Sequence, residues 1–223
     1  MTRPGAPLHH LLNRAFEHAR VPSTETGDPT DARILDAAVR VLADRGTEEA
    51  TMDEVAAQAG IGRSTLFRRF QSKDHLFERA LSRDITRVLT DLAVDFTVIT
   101  DPTDQVVHGF RAAVGLRDHP LLRGATPTRR LEVIEGLSHG PNSAVALAFR
   151  AIRANIARAQ QSGRIPSRDA DAQADVLIHA AISYIVAPSL GIDLDDPDAA
   201  ERIARAALAP VITGTTPDPA ASR

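Results

Sequence analysis

The sequence predicts an all-α protein: an N-terminal three-helix head carrying a helix-turn-helix, then a larger C-terminal helical bundle, about nine helices after a short N-terminal arm. Three observations lead there. Apolar residues recur at a helical period through most of residues 30–213, with Gly, Pro and capping residues between the periodic stretches. Two of those stretches, 51–59 and 63–70, are short and joined only by Gly60-Ile61-Gly62. Aromatic residues make up 4% of the chain with no Trp, too few for a β-rich core. The one alternating run, Val94, Phe96 and Val98 around Asp95 and Thr97, has no second strand to pair with. It reads as the end of a helix and an apolar loop.

Taken in order, residues 1–29 hold Pro4, Gly5, Pro7, Pro22, Gly27 and Pro29 around a short segment at 11–19. They read as a flexible arm with about two helical turns, its Arg3, Arg14 and Arg20 offset by Glu17, Glu25 and Asp28. Ile34, Ala38, Val41 and Leu42 then share one helix face, and Arg45-Gly46 supplies the stop. Thr51-x-x-Glu54 is a capping box that starts a short helix with Val55, Ala56 and Ala59 inward and Gly60 at its end. The next helix runs from Arg63 to Phe70 and turns Leu66 and Phe70 inward. Ser72 caps a long helix whose stripe is Leu76, Phe77, Ala80, Leu81, Ile85, Val88, Leu89 and Leu92. Asp101-Pro102 opens a helix to about Arg117, and another covers 127–137. From Asn142 an amphipathic helix aligns Val145, Phe149, Ile152 and Ile156, residues 163–167 break it, and two last helices span 169–187 and 197–213.

Charge and composition narrow the function. Twenty-six basic residues against 29 acidic ones give a net charge of −3, so any nucleic-acid site is a local patch and not a global field. The absence of Cys excludes disulfides, iron–sulfur clusters, cysteine nucleophiles and cysteine-held zinc. The longest uncharged run, 176–192, is interrupted by His179, Pro188 and Gly191 and reads as a buried helix, not a membrane span. With no secretory stretch after Met1, a soluble cytoplasmic protein is expected. All the basic residues are Arg except Lys73. Between Val55 and Lys73 stand four basic residues and no acid, which is the local patch required. Burial of Leu66 and Phe70 leaves Arg63, Ser64, Phe67 and Arg68 on the opposite face, where a helix-turn-helix meets the major groove of DNA.

Residues 34–81, ILDAAVRVLADRGTEEATMDEVAAQAGIGRSTLFRRFQSKDHLFERAL, resemble the N-terminal domain of TetR/AcrR-type transcriptional regulators, through the A-x-x-x-G-I, S-T-L-F-x-x-F and K-x-x-L segments. The resemblance implies a non-enzymatic homodimer that binds a pseudo-palindromic DNA duplex and a small effector, without a cofactor. It implies a repressor released by that effector. On this frame the arm is 1–29, the DNA-binding head 30–76, the effector-binding and dimerisation domain 77–213, and a disordered tail 214–223. Thr51 matches a position that caps the second helix and meets a phosphate, and Arg63, Ser64 and Thr65 match the base- and phosphate-facing start of the recognition helix. Phe67 stands where Tyr is usual, exchanging a phosphate hydrogen bond for contact with a thymine methyl. Arg69 replaces a frequent His or Tyr, Lys73 matches a backbone-contacting Lys, and Gly62 replaces a capping Ser. With Arg68, these make the expected DNA set: Thr51, Arg63, Ser64, Thr65, Phe67, Arg68, Arg69 and Lys73.

Elsewhere the expectations are coarser. An apolar effector pocket draws on Phe96, Phe110 and Phe149, with His139 and His179 as polar points. The dimer interface draws on the last two helices through Ile178, Ile182, Tyr184, Ile185, Ile203, Ala207 and Val211. His108, His119, His139 and His179 show no i, i+4 pair, so no metal is expected. Residues 136–140 read G-x-S-x-G, the pattern of a nucleophile elbow, which makes a serine hydrolase using Ser138 the alternative from another class. That pattern needs a strand before the Ser and a sheet around it. The competing reading is a loop capped by Gly136 and Gly140 and closed by Pro141. A non-specific or constitutive DNA binder without effector is the third alternative.

Overall fold

Helix ends fall where the capping chemistry puts them. The computed structural model describes residues 6–19, 28–187 and 189–214, without the side chains of 92–94 and 97. Its elements are α1 (Leu8–Ala19), α2 (Pro29–Glu49), α3 (Met52–Ala59), α4 (Arg63–Arg69), α5 (Lys73–Val98), α6 (Pro102–Gly115), α7 (Pro127–Ser138), α8 (Ala144–Gln161), α9 (Ala170–Val186), α10 (Ala199–Ile203) and α11 (Ala209–Thr213). A 3₁₀ turn, Leu116–Asp118, follows α6, and a π-helical turn, Ala204–Leu208, joins α10 to α11. Among the described residues there is no strand. The chain forms two compact units, one of residues 1–90 with 118–144 and one of 91–117 with 145–223.

The first unit contains the head. Asp28 caps α2 by accepting from the Thr30 N–H at 2.8 Å, with Pro29 preset in the first turn. Helical backbone stops after Arg45, where Gly46 takes φ 75°, ψ 178°. Both halves of the Thr51–Glu54 capping box form: the Glu54 N–H donates to Thr51 Oγ1 (3.2 Å), and the Thr51 N–H donates to Glu54 Oε2 (3.0 Å). Gly60 ends α3 in the left-handed region, φ 65°, ψ 38°, while the Ile61 N–H reaches back to the Ala56 carbonyl at 3.0 Å. A side chain at Gly60 would strain that turn, and the turn sets the angle between α3 and α4. Ile34, Leu42, Val55, Leu66, Phe70, Leu76, Phe77 and Leu81 are fully buried and form the core that fixes the three helices. Ser72 Oγ accepts from the His75 N–H at 3.2 Å and starts α5. Helix α5 continues to Val98, beyond the break expected after Leu92. The alternation at 94–98 is too short to overcome a helix already propagating, where each further residue adds a hydrogen bond without a new nucleus.

Residues 8–19 differ from the flexible arm that the Pro and Gly content predicts. They form α1, with Leu8, Leu11, Leu12, Ala15 and Phe16 all buried against α7. The two helices cross at Gly136: a Cβ there would lie 2.8 Å from His9 Cα and 2.9 Å from Leu12 Cβ. Only a residue without a side chain admits the crossing. Polar ties complete it, with Arg14 Nε and His18 Nδ1 at 3.3 and 2.8 Å from the buried Glu78 carboxylate of α5. The rest of the expected arm, 1–5 and 20–27, lies outside the described residues, as does the expected tail beyond Gly214. In the same unit His119 Nε2 stands 2.7 Å from Asp84, and its Nδ1 accepts from the Leu121 N–H at 3.3 Å. Residues 118–144 thus belong to this compact unit.

The second unit is built on Val107, Phe110, Val114, Ile156, Leu177, Ile203, Leu208 and Ile212. The buried amide of Gln173 is satisfied: Nε2 donates to the Val211 carbonyl at 2.7 Å and Oε1 accepts from Gln160 at 3.0 Å. Pro210 has no N–H to give, and the Ala209 N–H reaches back five residues to Ala204, widening the turn to π.

Candidate DNA interface

Helix α4 is amphipathic by necessity. Leu66 is its buried anchor, and Arg63, Ser64, Phe67 and Arg68 are exposed on the side away from the core, as the pattern predicts. Phe67 is 44% exposed, a large apolar ring held in water, which core packing does not require. Arg63 is not a free charge. Its Nη1 lies 2.9 Å from Asp53 Oδ2, and its guanidinium sits over the Phe67 ring, 5.3 Å from the centroid. Arg68 has no ion-pair partner among the described residues. Thr51 is exposed at the start of α3, but its hydroxyl already donates to Glu54 Oε2 at 2.9 Å. A phosphate contact there requires that proton to be redirected. Thr65 is half-buried at the first turn of α4.

Two members of the expected set have other work. Arg69 Nη1 is 2.6 Å from both Asp28 and Asp31, which ties the end of α4 to the start of α2. Hydrogen bonds to the two carboxylates hold its guanidinium above the ordinary arginine value. The Thr30 N–H, and then Arg69, hold the Asp28 carboxyl below its own. Arg69 is therefore a fastening of the head and not a free DNA contact. The sequence window from Val55 to Lys73 misses it because both carboxylates come from the opposite end of the head. Lys73 Nζ donates to the Thr47 and Glu48 carbonyls at 2.9 and 3.3 Å, satisfying acceptors freed by the break at Gly46. Asp53 was not in the expected set; its signal is an acid in the first turn of α3, one helix before the arginine it holds.

Residues 34–80 match the family model described as "Bacterial regulatory proteins, tetR family". The helix-turn-helix head of the chain is of the TetR type. An HTH-type transcriptional regulator of Mycobacterium bovis is 28% identical over 156 residues, 70% of this chain and 80% of that protein. One from Mycobacterium tuberculosis is 30% identical over 99 residues, 44% of this chain. The match there spans about half of the relative, 49% of its length. Among solved structures, a TetR-like regulator from Rhodococcus sp. RHA1 shares the fold with a TM-score of 0.56 and 24% identity, covering 85% of this chain and 99% of that one. FadR from Bacillus subtilis, solved in complex with stearoyl-CoA, also gives 0.56, at 17% identity over 82% of this chain and 98% of that one.

The residues expected for an effector pocket and for a dimer interface are less well gathered. Phe110 is core of the second unit, buried and packed edge-to-face on Tyr184 with centroids 5.2 Å apart. Phe149 lies partly buried against the same core, and Phe96 packs edge-to-face on His108 at 5.7 Å. His179 is exposed beside Asp175, and His139 is an exposed cap of α7 in the first unit. His139 thus belongs to the first unit, and Phe96, Phe110, Phe149 and His179 belong to the second. An open cleft of about 280 Å³ there is lined by Arg117, Ser189, Ile192, Asp193, Leu194 and Asp195, none of them in the expected set. Of the expected dimer residues, Ile185 and Ile203 are buried, Ile203 in the core of the second unit. Ile178, Ile182, Tyr184 and Val211 are half-buried, and Ala207 is exposed. Val176, on α9, is 49% exposed.

The G-x-S-x-G pattern is settled by helix α7. It runs through Gly136 to end at Ser138, so Gly136 is a helix-crossing residue and not a cap, and no strand leads into the serine. The elbow geometry is absent at Ser138.

Proposed function

We propose that the chain is a sequence-reading transcriptional regulator that binds a pseudo-palindromic duplex as a cytoplasmic homodimer. The observation that carries this is the exposed face of α4, where Arg63, Ser64, Phe67 and Arg68 stand together opposite the anchoring Leu66. In agreement with it, no helix among the described residues is long and apolar enough to cross a membrane. Paired recognition helices enter successive major grooves about 34–36 Å apart. Val176, the half-buried Ile178 and Ile182, and the exposed Ala207 supply the dimer surface.

The regulator is a repressor released by a small, mainly apolar effector held among the helices of the second unit. The effector prefers a conformation in which the two recognition helices no longer match the groove spacing, and linkage then lowers DNA affinity. Since the FadR neighbour was solved with stearoyl-CoA, acyl-CoA thioesters are the first effector class to screen.

Fluorescence anisotropy tests the reading, with the DNA flanking the chain's own gene against a scrambled duplex at two salt concentrations. Specific binding that survives the higher salt supports it, and equal loss from both duplexes points to non-specific phosphate binding instead. On the specific duplex, Arg63→Ala costs about 1–3 kcal/mol if it reads a base. An equal loss on scrambled DNA places Arg63 on the backbone.

A further inference from the structure

Two carboxylates stand side by side in the first turn of α3, and they are balanced differently. Glu54 is taken up by the Thr51 capping box and by Arg45, 3.3 Å away. Asp53 has Arg63, and among the described residues no other basic partner. The Asp53 and Arg63 side chains are 55% and 70% exposed, so their bond contributes little to folding. What it does is aim. With Asp53 at 2.9 Å and the Phe67 ring at 5.3 Å, the guanidinium is held in place before any DNA arrives.

On DNA the same carboxylate is a burden. Phosphates repel it on every sequence, and once Arg63 turns to a base it loses its partner. The major groove offers a replacement of one kind. Arginine pairs with guanine O6 and N7, while a carboxylate accepts from the exocyclic amine of cytosine. Resting on the groove-facing placement of α4 proposed above, we propose that Asp53 and Arg63 act as one reader of opposite charges. Arg63 takes a guanine and Asp53 a neighbouring cytosine amine, so Asp53 supplies discrimination at the expense of affinity. A sequence without the cytosine leaves Asp53 facing acceptors and phosphates, and is rejected.

The test is selection from a pool of random-sequence duplexes with the wild type, Asp53→Asn and Asp53→Ser. Anisotropy then compares the enriched duplex with a scrambled one at two salt concentrations, and thermal melts establish that each variant is folded. The serine variant, well suited to a helix N-terminus, covers the case in which asparagine weakens α3. The expected result is a wild-type motif with cytosine at a fixed step from guanine. Both variants bind scrambled DNA more tightly, and their preference for the motif falls about tenfold. Asparagine also admits adenine in place of the cytosine, since its amide pairs with N6 and N7. An unchanged motif with an unchanged preference overturns the proposal and leaves Asp53 as a surface ion pair. Proportional weakening on all duplexes also overturns it, in favour of simple anchoring. A wild type that enriches no motif overturns the DNA-reading function itself, and the paired reader falls with it.

Discussion

Adding one methyl group at Gly136 sets helix propensity against packing. Alanine is better than glycine in a helix interior by about 1 kcal/mol, so propensity alone favours Gly136→Ala. The new Cβ, however, meets His9 Cα at 2.8 Å, Leu12 Cβ at 2.9 Å and the His9 carbonyl oxygen at 3.1 Å. Two of these are backbone atoms that cannot swing aside. Since carbon atoms rest at roughly 3.5–4.0 Å, α1 must withdraw by about 0.7 Å or more, and a gap of that size forfeits roughly a quarter to a half of the dispersion energy across it. Overpacking of this kind costs about 1–3 kcal/mol, so after the propensity gain the net loss is roughly 0–2 kcal/mol, and the loss of α1 protection is the sharper signal. At 12 residues, α1 is too short to persist as a helix once its packing is weakened. Gly115→Ala is the control, because at the last residue of α6 a Cβ meets nothing within 4 Å. That substitution stabilises by up to about 1 kcal/mol. Urea unfolding reads both signs, and hydrogen exchange of the 8–19 amides locates the loss in α1. If Gly136→Ala is as stable as the wild type and α1 protection is unchanged, the close crossing of α1 and α7 is refuted.

Other perturbations separate roles that the structure assigns. Asp28 titrates below the ordinary carboxylate value of 3.8, so its contribution to stability is fully present above that value and lost as pH falls through the lower folded one. Replacing Arg69 by Gln moves the Asp28 titration upward only part of the way, because the Thr30 N–H remains; carboxyl-carbon NMR reads the shift, and an unmoved titration refutes the pairing. For Asp84, burial pushes the carboxyl up, but the His119 hydrogen bond and the Arg87 and Arg83 charges outweigh it and hold it below its ordinary value. His119→Ala strands that half-hidden carboxylate, at a cost of about 1–3 kcal/mol by urea unfolding, and no loss shows that Arg87 suffices alone. Ile203→Ala opens a cavity in the second unit and costs about 2–5 kcal/mol at any protein concentration. Val176→Arg, on an exposed position, leaves that stability in place and weakens self-association in sedimentation; the reverse pattern puts Ile203 and not Val176 at the dimer surface.

How far a feature was legible in the sequence depended on how far apart its parts lie along the chain. Capping is local: Thr51 with Glu54 and Ser72 with His75 each act within three residues, and both helix starts stand where the sequence puts them, while Asp28, read as part of the arm, caps α2 over an equally short span. Periodicity is local as well, so the buried and exposed faces of α4 follow from the positions of Leu66 and Phe70 alone. Together these determined an all-helical chain with a helix-turn-helix and an exposed row from Arg63 to Arg68.

Only the tertiary structure decided where each charge is used. Arg69 meets Asp28 and Asp31 about forty positions away, and Lys73 meets carbonyls some twenty-five positions away. Neither distance leaves any trace in composition or spacing. The same holds for α1, whose Pro- and Gly-flanked sequence looks unfastened until Gly136, more than a hundred residues later, supplies the groove it packs into. A pattern in sequence records which face of a helix is apolar. Which partner covers that face, and which charge is thereby taken out of play, is fixed only when distant segments are brought within contact distance.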